Sequence, residues 1–215
     1  MATAVKICGL SQPDSVDAAI KAGARYLGFV FFPKSPRHVT PAQAAELTAP
    51  VPVGIARVGL FVNPDDAALQ STLATVPLDV IQLHGHETPQ RVAEVKALTG
   101  LPVMKAVGVA EPADLDALWD YGLVADMLLV DAKPPKDAVL PGGNGLALDW
   151  RLLVGRQMVR PWLLAGGLTP DNVAQAIRLT RAPGVDVSSG VESAPGVKDV
   201  EKIRQFVSRA TAPIL

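Results

Sequence analysis

Residues 162–171, Trp-Leu-Leu-Ala-Gly-Gly-Leu-Thr-Pro-Asp, join a short apolar run to a polar segment through two glycines. Such a run is typical of a parallel strand that is covered on both faces. Proline has a fixed φ and no N–H, which suits the first turn of a helix, and a threonine before it can cap that helix. The stretch therefore predicts a strand, a tight turn and a helix, in that order.

The same order recurs along the 215 residues. Eight apolar runs are predicted to be strands: Val5–Ile7, Tyr26–Phe31, Val58–Val62, Val80–Leu83, Val103–Val107, Met127–Val130, Trp162–Ala165 and Val185–Val187. Six segments that place proline beside a polar residue predict helix starts: Ser11–Asp14, Thr40-Pro41, Asn63–Asp65, Thr88-Pro89, Glu111-Pro112 and Thr169–Asp171. The runs end roughly 22 to 35 residues apart, which is enough chain for one strand and one crossover helix.

Eight strands, each followed by a helix, predict a (β/α)8 barrel, formed by residues 1–215 as a single domain. The alternative is a doubly wound open sheet. That architecture would normally carry a G-x-G-x-x-G turn after the first strand, and Cys8-Gly9-Leu10-Ser11 does not match it. The barrel is therefore the fold that we expect.

The composition excludes several classes of protein. With 49% apolar and 19% charged residues, the chain is not disordered. The 20 basic and 21 acidic residues argue against a nucleic-acid partner, and the single cysteine excludes an internal disulfide and a cysteine-based zinc site. No apolar run approaches the ~18 residues of a membrane helix, and the start of the chain lacks a signal peptide. We expect a cytoplasmic protein without a membrane partner, a monomer, with a dimer as the alternative.

Two candidate catalytic residues end predicted strands, where such barrels carry their active sites. Cys8 is a candidate general base, because a thiolate can accept a proton; the alternative is a small buried hydrophobe. Asp131 is a candidate general acid, because apolar surroundings favour the protonated carboxyl. Its alternative role is to cap a loop or to pair with Lys133.

Two groups of residues are candidates for binding anions. Arg37 lies in the segment Phe32–His38, which two prolines stiffen, and a guanidinium suits bidentate capture of a carboxylate; the alternative is a solvated basic loop. Turns after strands seven and eight bind phosphate through backbone N–H groups in many barrels; the alternative is ordinary tight turns. The candidate phosphate-binding residues are Gly166, Gly167, Ser188, Ser189 and Gly190.

His84 and His86 form an H-x-H pair, a spacing that occurs in metal sites. The third histidine, His38, lies in the basic loop. We predict that His84 lines the mouth of the barrel, that His86 is solvated and that no metal is bound.

Taken together, these segments resemble the phosphoribosylanthranilate isomerases of tryptophan biosynthesis. The segments that carry the resemblance cover essentially the whole chain: Val5–Gly9, Gly28–Arg37, Val58–Asn63, Gln82–Gly85, Leu129–Asp131, Gly142–Gly145, Leu164–Val173 and Val185–Glu192. One departure is Leu148, which stands where the family often has phenylalanine before Asp-Trp, and residues 136–140 are irregular. Both departures affect the closed conformation that is expected of the loop after the sixth strand.

The resemblance implies an Amadori rearrangement of N-(5-phosphoribosyl)anthranilate, without cofactor, on a phosphorylated small molecule. It implies that Asp131 protonates the ribose ring oxygen, that Cys8 removes the C2 proton and that Arg37 holds the anthranilate carboxylate. Gln82, His84 and Asp186 are expected to contact the substrate, and the two turns to hold the phosphate.

Four other functions are the alternatives for such a barrel. Ribulose-phosphate epimerases use paired carboxylates and usually a metal, and indole-glycerol-phosphate synthases use a lysine as acid. A dual-substrate isomerase would need two catalytic carboxylates, which Cys8 argues against. A non-catalytic ligand-binding barrel has no need of both Cys8 and Asp131.

Overall fold

A computed structural model describes residues 3–133, 142, 145 and 147–213. Eight parallel strands close into a barrel in sequence order, which confirms the predicted architecture. The strands are β1 (Ala4–Cys8), β2 (Tyr26–Val30), β3 (Ala56–Phe61), β4 (Val80–Leu83), β5 (Val103–Val109), β6 (Met127–Ala132), β7 (Trp162–Leu164) and β8 (Gly184–Val187). Each of them overlaps one of the predicted apolar runs.

The helices surround the barrel. In the part of the chain that the structure describes, they are α1 (Pro13–Ala22), α2 (Pro41–Thr48), α3 (Asp66–Leu73), α4 (Pro89–Thr99), α5 (Asp116–Val124), α6 (Val173–Thr180) and α7 (Val200–Thr211). The prediction of a helix after every strand is wrong at β6, where the described residues contain one 3-10 turn, Trp150–Leu153. This turn stops before Gly155, which has a left-handed φ of 71°. Most of residues 133–146, which follow β6 and are rich in proline and glycine, lie outside the described residues.

Two helices begin where threonine and proline predicted them. Thr40 and Gln43 form a capping box at α2, and the Thr88 side chain accepts from the N–H of Arg91 at α4. By contrast, α6 begins at Val173, later than the predicted start at Thr169, because Asn172 stabilises a turn instead. Its side chain accepts from the N–H of Thr169 and donates to the carbonyl of Gly167.

The core has two layers, which follow from the alternation of side chains along each strand. Met104 and Ala106 of β5 point into the barrel, while Val103 and Val107 face the helices. The inner layer is built mainly of apolar side chains from β3 to β7. It supports the carboxyl ends of the strands from below. No helix in the described part of the chain is long and apolar enough to cross a membrane.

A short hairpin that the sequence did not predict follows β8. Its strands are β9 (Glu192–Ala194) and β10 (Val197–Lys198), and its turn packs on the segment after β2. A Cβ on Gly196 would lie 2.5 Å from the carbonyl oxygen of Pro36, so that a side chain there would force the two segments apart. The close contact brings the hairpin over the carboxyl end of the barrel.

Candidate active site

The carboxyl ends of the strands surround a pocket with about 790 Å³ of space, part of it open to solvent. Of the eleven predicted site residues, all but Gln82 line it: Cys8, Arg37, His84, Asp131, Gly166, Gly167, Asp186, Ser188, Ser189 and Gly190. The structure therefore brings the predicted residues to one place.

Cys8 ends β1 as a free, buried thiol beside the apolar side chains of Val30 and Leu60. Its neighbour across the sheet is Gly28, and a Cβ on that residue would lie 3.0 Å from Sγ. Burial raises the pKa of the Cys8 thiol, and the positive charge of Lys6 opposes this effect. The thiol is therefore packed as a hydrophobe would be, yet it faces the pocket next to a cation.

Lys6 and Asp186 form a buried ion pair between β1 and β8. They are direct partners in the register, and the Lys6 ammonium donates to Oδ1 of Asp186 at 2.8 Å. Burial alone would lower the pKa of Lys6, but Asp186 and Cys8 outweigh it and the net pKa is raised. The lysine thus stays protonated, and one oxygen of the predicted substrate-binding residue Asp186 is occupied by it.

Asp131 ends β6 with both carboxyl oxygens held. The backbone N–H of Ala132 donates to Oδ1 at 2.8 Å, and Nε2 of His84 lies 3.3 Å from Oδ2. The amide nitrogen of Gln82 lies 2.9 Å from Nδ1 of His84, and this contact orients the imidazole toward Asp131. Gln82 is itself fully buried, and its role is to orient His84. The alternative prediction that Asp131 pairs with Lys133 is wrong, because Lys133 pairs with Asp114.

The loop that carries His84 is braced by a second buried ion pair, Lys105 with Glu87, at 2.9 Å. The Glu87 carboxylate also accepts from the N–H groups of Asn63 and Gly85, which ties the loops after β3 and β4 together. His86 is exposed and its N–H donates to Asn63. No group of three or more histidine, cysteine or acidic residues in the described ranges is placed to hold a metal ion.

Arg37 is held rather than solvated, which overturns the basic-loop alternative. Its Nε and one terminal nitrogen donate to the two oxygens of Glu192 at 2.7 and 2.9 Å, and Arg37 is 5% exposed. Lys198 donates to Glu192 at 2.7 Å and to the carbonyl of Ser188 at 3.0 Å. Burial would raise the pKa of Glu192, but Arg37 and Lys198 outweigh it and lower that pKa. The guanidinium therefore has a fixed orientation on the pocket wall.

The turns after β7 and β8 present unpaired backbone donors. Gly166 and Gly167 have left-handed φ values of 84° and 66°. A Cβ on Gly190 would lie 1.9 Å from the carbonyl oxygen of Leu168, so only glycine lets the two turns meet. The N–H groups of Gly166, Gly167, Ser189 and Gly190 donate to no acceptor among the described residues. Four such groups on one wall suit an anion.

Comparison with known proteins identifies the family. The model of the family described as N-(5'-phosphoribosyl)anthranilate (PRA) isomerase matches residues 5–209. The chain belongs to the phosphoribosylanthranilate isomerase family. An N-(5'-phosphoribosyl)anthranilate isomerase from Paracoccus denitrificans is 80% identical over 215 residues, which is all of both chains. One from Paramagnetospirillum magneticum is 59% identical over 98% of each chain. The resemblance read from the sequence is thus confirmed.

Solved structures of this family share the fold. The phosphoribosyl anthranilate isomerase of Thermotoga maritima aligns with a TM-score of 0.87 at 35% identity, over 97% of this chain and 98% of that one. Another member was solved in complex with reduced 1-(o-carboxyphenylamino)-1-deoxyribulose 5-phosphate, and it aligns over the same shares of the two chains with a TM-score of 0.84 at 34% identity. A further Thermotoga maritima structure, of monomers generated from a dimeric family member, has a TM-score of 0.84 at 35% identity.

Sequence reasoning about this family member did not assign Lys6, Glu192 or Lys198 to the site. One signal for Lys6 was available, because a charged residue inside a strand that is covered on both faces requires a buried partner. Glu192 and Lys198 gave no comparable signal, since neither belongs to a predicted strand. Their positions depend on the hairpin that follows β8.

Proposed function

We propose that the protein catalyses the Amadori rearrangement of N-(5-phosphoribosyl)anthranilate to 1-(2-carboxyphenylamino)-1-deoxyribulose 5-phosphate. The observation that carries the proposal is the pocket, which holds a thiol and a carboxyl group between a fixed arginine and four N–H groups that have no acceptor among the described residues. Family membership supports it, as does the relative bound to a reduced 1-(o-carboxyphenylamino)-1-deoxyribulose 5-phosphate. The ligand class is therefore a small phosphorylated molecule.

The two anionic ends of the substrate match the two cationic or donor-rich walls of the pocket. We assign the phosphate to the turns of Gly166-Gly167 and Ser188–Gly190, where backbone donors are preorganised. We assign the anthranilate carboxylate to Arg37, whose orientation Glu192 fixes. Val30, Leu60 and Phe32 form an apolar wall for the aromatic ring. The ribose then lies between these walls, within reach of both catalytic residues.

The first chemical step opens the ribose ring. Asp131 gives its proton to the ring oxygen, the C1–O bond breaks, and the amine nitrogen donates its electron pair to form a C=N iminium. His84 and the N–H of Ala132 orient the carboxyl group for this transfer. General acids in such steps typically contribute on the order of 10²–10⁴-fold to the rate.

The second step removes the C2 proton. The Cys8 thiolate takes that proton, the C–H electron pair forms a C1=C2 bond, and the iminium electrons return to nitrogen. The resulting enolamine tautomerises as its hydroxyl proton leaves and C1 gains one, which produces the ketone. Cys8 and Asp131 then return to their starting states by proton exchange with solvent. The rearrangement oxidises C2 and reduces C1 within one molecule, so the scheme needs no external oxidant or reductant and calls on no metal.

The test is turnover of freshly prepared phosphoribosylanthranilate, followed by the loss of its fluorescence, with the aminoketose product identified by mass. The matched control is the Cys8→Ser, Asp131→Asn double variant, which keeps the fold and lacks both proton-transfer groups. Loss of fluorescence at the same rate with protein, control and buffer would contradict the proposal.

Three sequence-based expectations stay predictions: the single domain, the cytoplasmic location and the monomeric state. The dimeric family member from Thermotoga maritima makes the last of these the one most in need of measurement.

A further inference from the structure

We propose that the buried pair of Lys6 and Asp186 controls how readily Cys8 loses its proton, with Lys6 stabilising the thiolate and Asp186 opposing it. The pair does not itself contact the reacting atoms in this scheme, so both members are positioning residues for the thiol. The inference rests on the proposed role of Cys8 as the base.

The geometry places the ammonium directly below the thiol. Lys6 and Cys8 are two positions apart on β1, so their side chains point to the same side of the sheet. A Cβ on Gly28 would lie 3.0 Å from Sγ and 3.3 Å from Nζ, which means that both groups pack over the same glycine. Asp186 lines the pocket beside Cys8, and Lys6 lies fully buried beneath the thiol.

A buried ion pair is by itself weak evidence for a role in stability. Burying two charges is costly, and replacing a buried ion pair by apolar residues of similar volume is often neutral or stabilising. The neighbouring inner core, which includes Val58, Met104 and Leu129, is apolar. A fully buried lysine with a single charged partner, under the one thiol of the site, is better explained by an effect on that thiol.

The charges around Cys8 act in known directions. Burial raises the pKa of the thiol most strongly, Lys6 lowers it, Asp186 raises it and Lys198 of β10 lowers it. From β2 and β3 the thiol meets the apolar side chains of Val30 and Leu60. Arg37, His84 and Asp131 line the same pocket and stay unchanged in the test. The two members of the pair thus act on the thiol with opposite signs.

The experiment compares wild type with Lys6→Met, Asp186→Asn and the double variant. The rate of alkylation of the folded enzyme by iodoacetamide is measured against pH, and one adduct per chain is verified by mass, since Cys8 is the only cysteine. We expect the thiol pKa to rise by about one unit or more in Lys6→Met and to fall in Asp186→Asn. The double variant should lie between the two.

The comparison of Asp186→Asn with the double variant isolates the charge of Lys6 in a background without the carboxylate. It keeps the test valid if Lys6→Met alone does not fold, because that variant leaves Asp186 buried and unpaired. If Asp186→Asn and the double variant have the same thiol pKa, the inference is overturned, because a purely structural pair would not change that pKa. Full turnover by Cys8→Ser would instead remove Cys8 as the base, while the alkylation result would stand independently.

Discussion

Nε2 of His84 lies 3.3 Å from Oδ2 of Asp131, and the amide nitrogen of Gln82 lies 2.9 Å from the other ring nitrogen, Nδ1, which fixes the orientation of the imidazole. With the N–H of Ala132 on Oδ1, this leaves the carboxyl group one orientation, toward the pocket. A preorganised carboxyl group is what proton transfer to a bound sugar requires.

Asp131→Asn should nearly abolish turnover while product affinity changes by no more than about tenfold, because an amide keeps the shape but cannot deliver a proton. The measurements are kcat from substrate fluorescence and the product Kd from calorimetry. Asp114→Asn is the matched control, since Asp114 pairs with Lys133 and does not line the pocket. If Asp131→Asn keeps more than a tenth of the wild-type rate, Asp131 is not the acid.

Cys8→Ser should fold, bind product and lose at least ~10²-fold in rate, because a hydroxyl forms no useful oxyanion near neutral pH. In wild type, alkylation should inactivate in a one-to-one ratio, and product should protect. Activity should rise with pH along the same curve as the alkylation rate, since both report the thiolate. Fully alkylated protein that keeps its activity would show that Cys8 is only a buried hydrophobe.

Arg37→Ala should weaken substrate binding by ~2–5 kcal/mol, the usual loss when a buried charged contact is truncated. The informative comparison uses substrate whose carboxylate is replaced by an amide. Wild type should bind this analogue poorly, and Arg37→Ala should discriminate little between the two. If Arg37→Ala weakens the binding of the substrate and of the amide analogue equally, Arg37 does not bind the carboxylate.

Glu192 should make stability depend on pH in the acid range. Its folded pKa is lowered below its unfolded value, chiefly because Arg37 and Lys198 outweigh the effect of burial. Its stabilising contribution is therefore fully present above the ordinary glutamate value of about 4.3 and is lost as the pH falls through the folded pKa.

The measurement is the free energy of urea unfolding of wild type and Glu192→Gln from neutral pH downward. The gap between the two proteins should be widest at neutral pH and should narrow in acid. Glu201→Gln, which changes an exposed partner of Arg204 on α7, should show a small gap at every pH. A Glu192→Gln gap that is constant with pH contradicts the assigned direction.

Gly190→Ala should raise the KM for the phosphorylated substrate about tenfold or more, because a displacement of even 1 Å in a binding site can cost on the order of 10²-fold. Its Cβ would overlap the carbonyl oxygen of Leu168 and push the two turns apart. Inorganic phosphate should inhibit the variant less than wild type. Gly100→Ala is the matched control, because Gly100 has a left-handed φ but has open space around its Cβ position. This variant should lower stability and leave KM unchanged. If Gly190→Ala and Gly100→Ala have the same KM, the two turns do not bind the phosphate.

The barrel was predictable because strands that are covered on both faces consist of short apolar runs. In a parallel barrel the carboxyl ends of these strands all lie on one side. That rule placed Cys8 and Asp131 in one pocket without any knowledge of side-chain contacts, whereas Asp186 was expected there only from the family resemblance. The α-helix predicted after β6 is not found among the described residues of that segment, which contain a 3-10 turn instead, because the prediction extended a repeating pattern.

The charge pairs were not predictable from local pattern. That Asp186 faces Lys6 depends on the register of β1 against β8, and that Glu192 holds Arg37 depends on a hairpin packed against Pro36. Both are contacts between distant parts of the chain. The residues of the site that carry proton transfer follow from strand ends, whereas the residues that orient them follow from tertiary packing.

The partners Lys6 and Asp186 are 180 positions apart, and β1 meets β8 only when the barrel closes. The edge of β1 that pairs with β8 therefore stays open until β8 docks against it. An inward-pointing charge on an open strand discourages association with the edges of other sheets. The ammonium beneath the thiol therefore gains its counter-ion only when the last strand docks and the barrel closes.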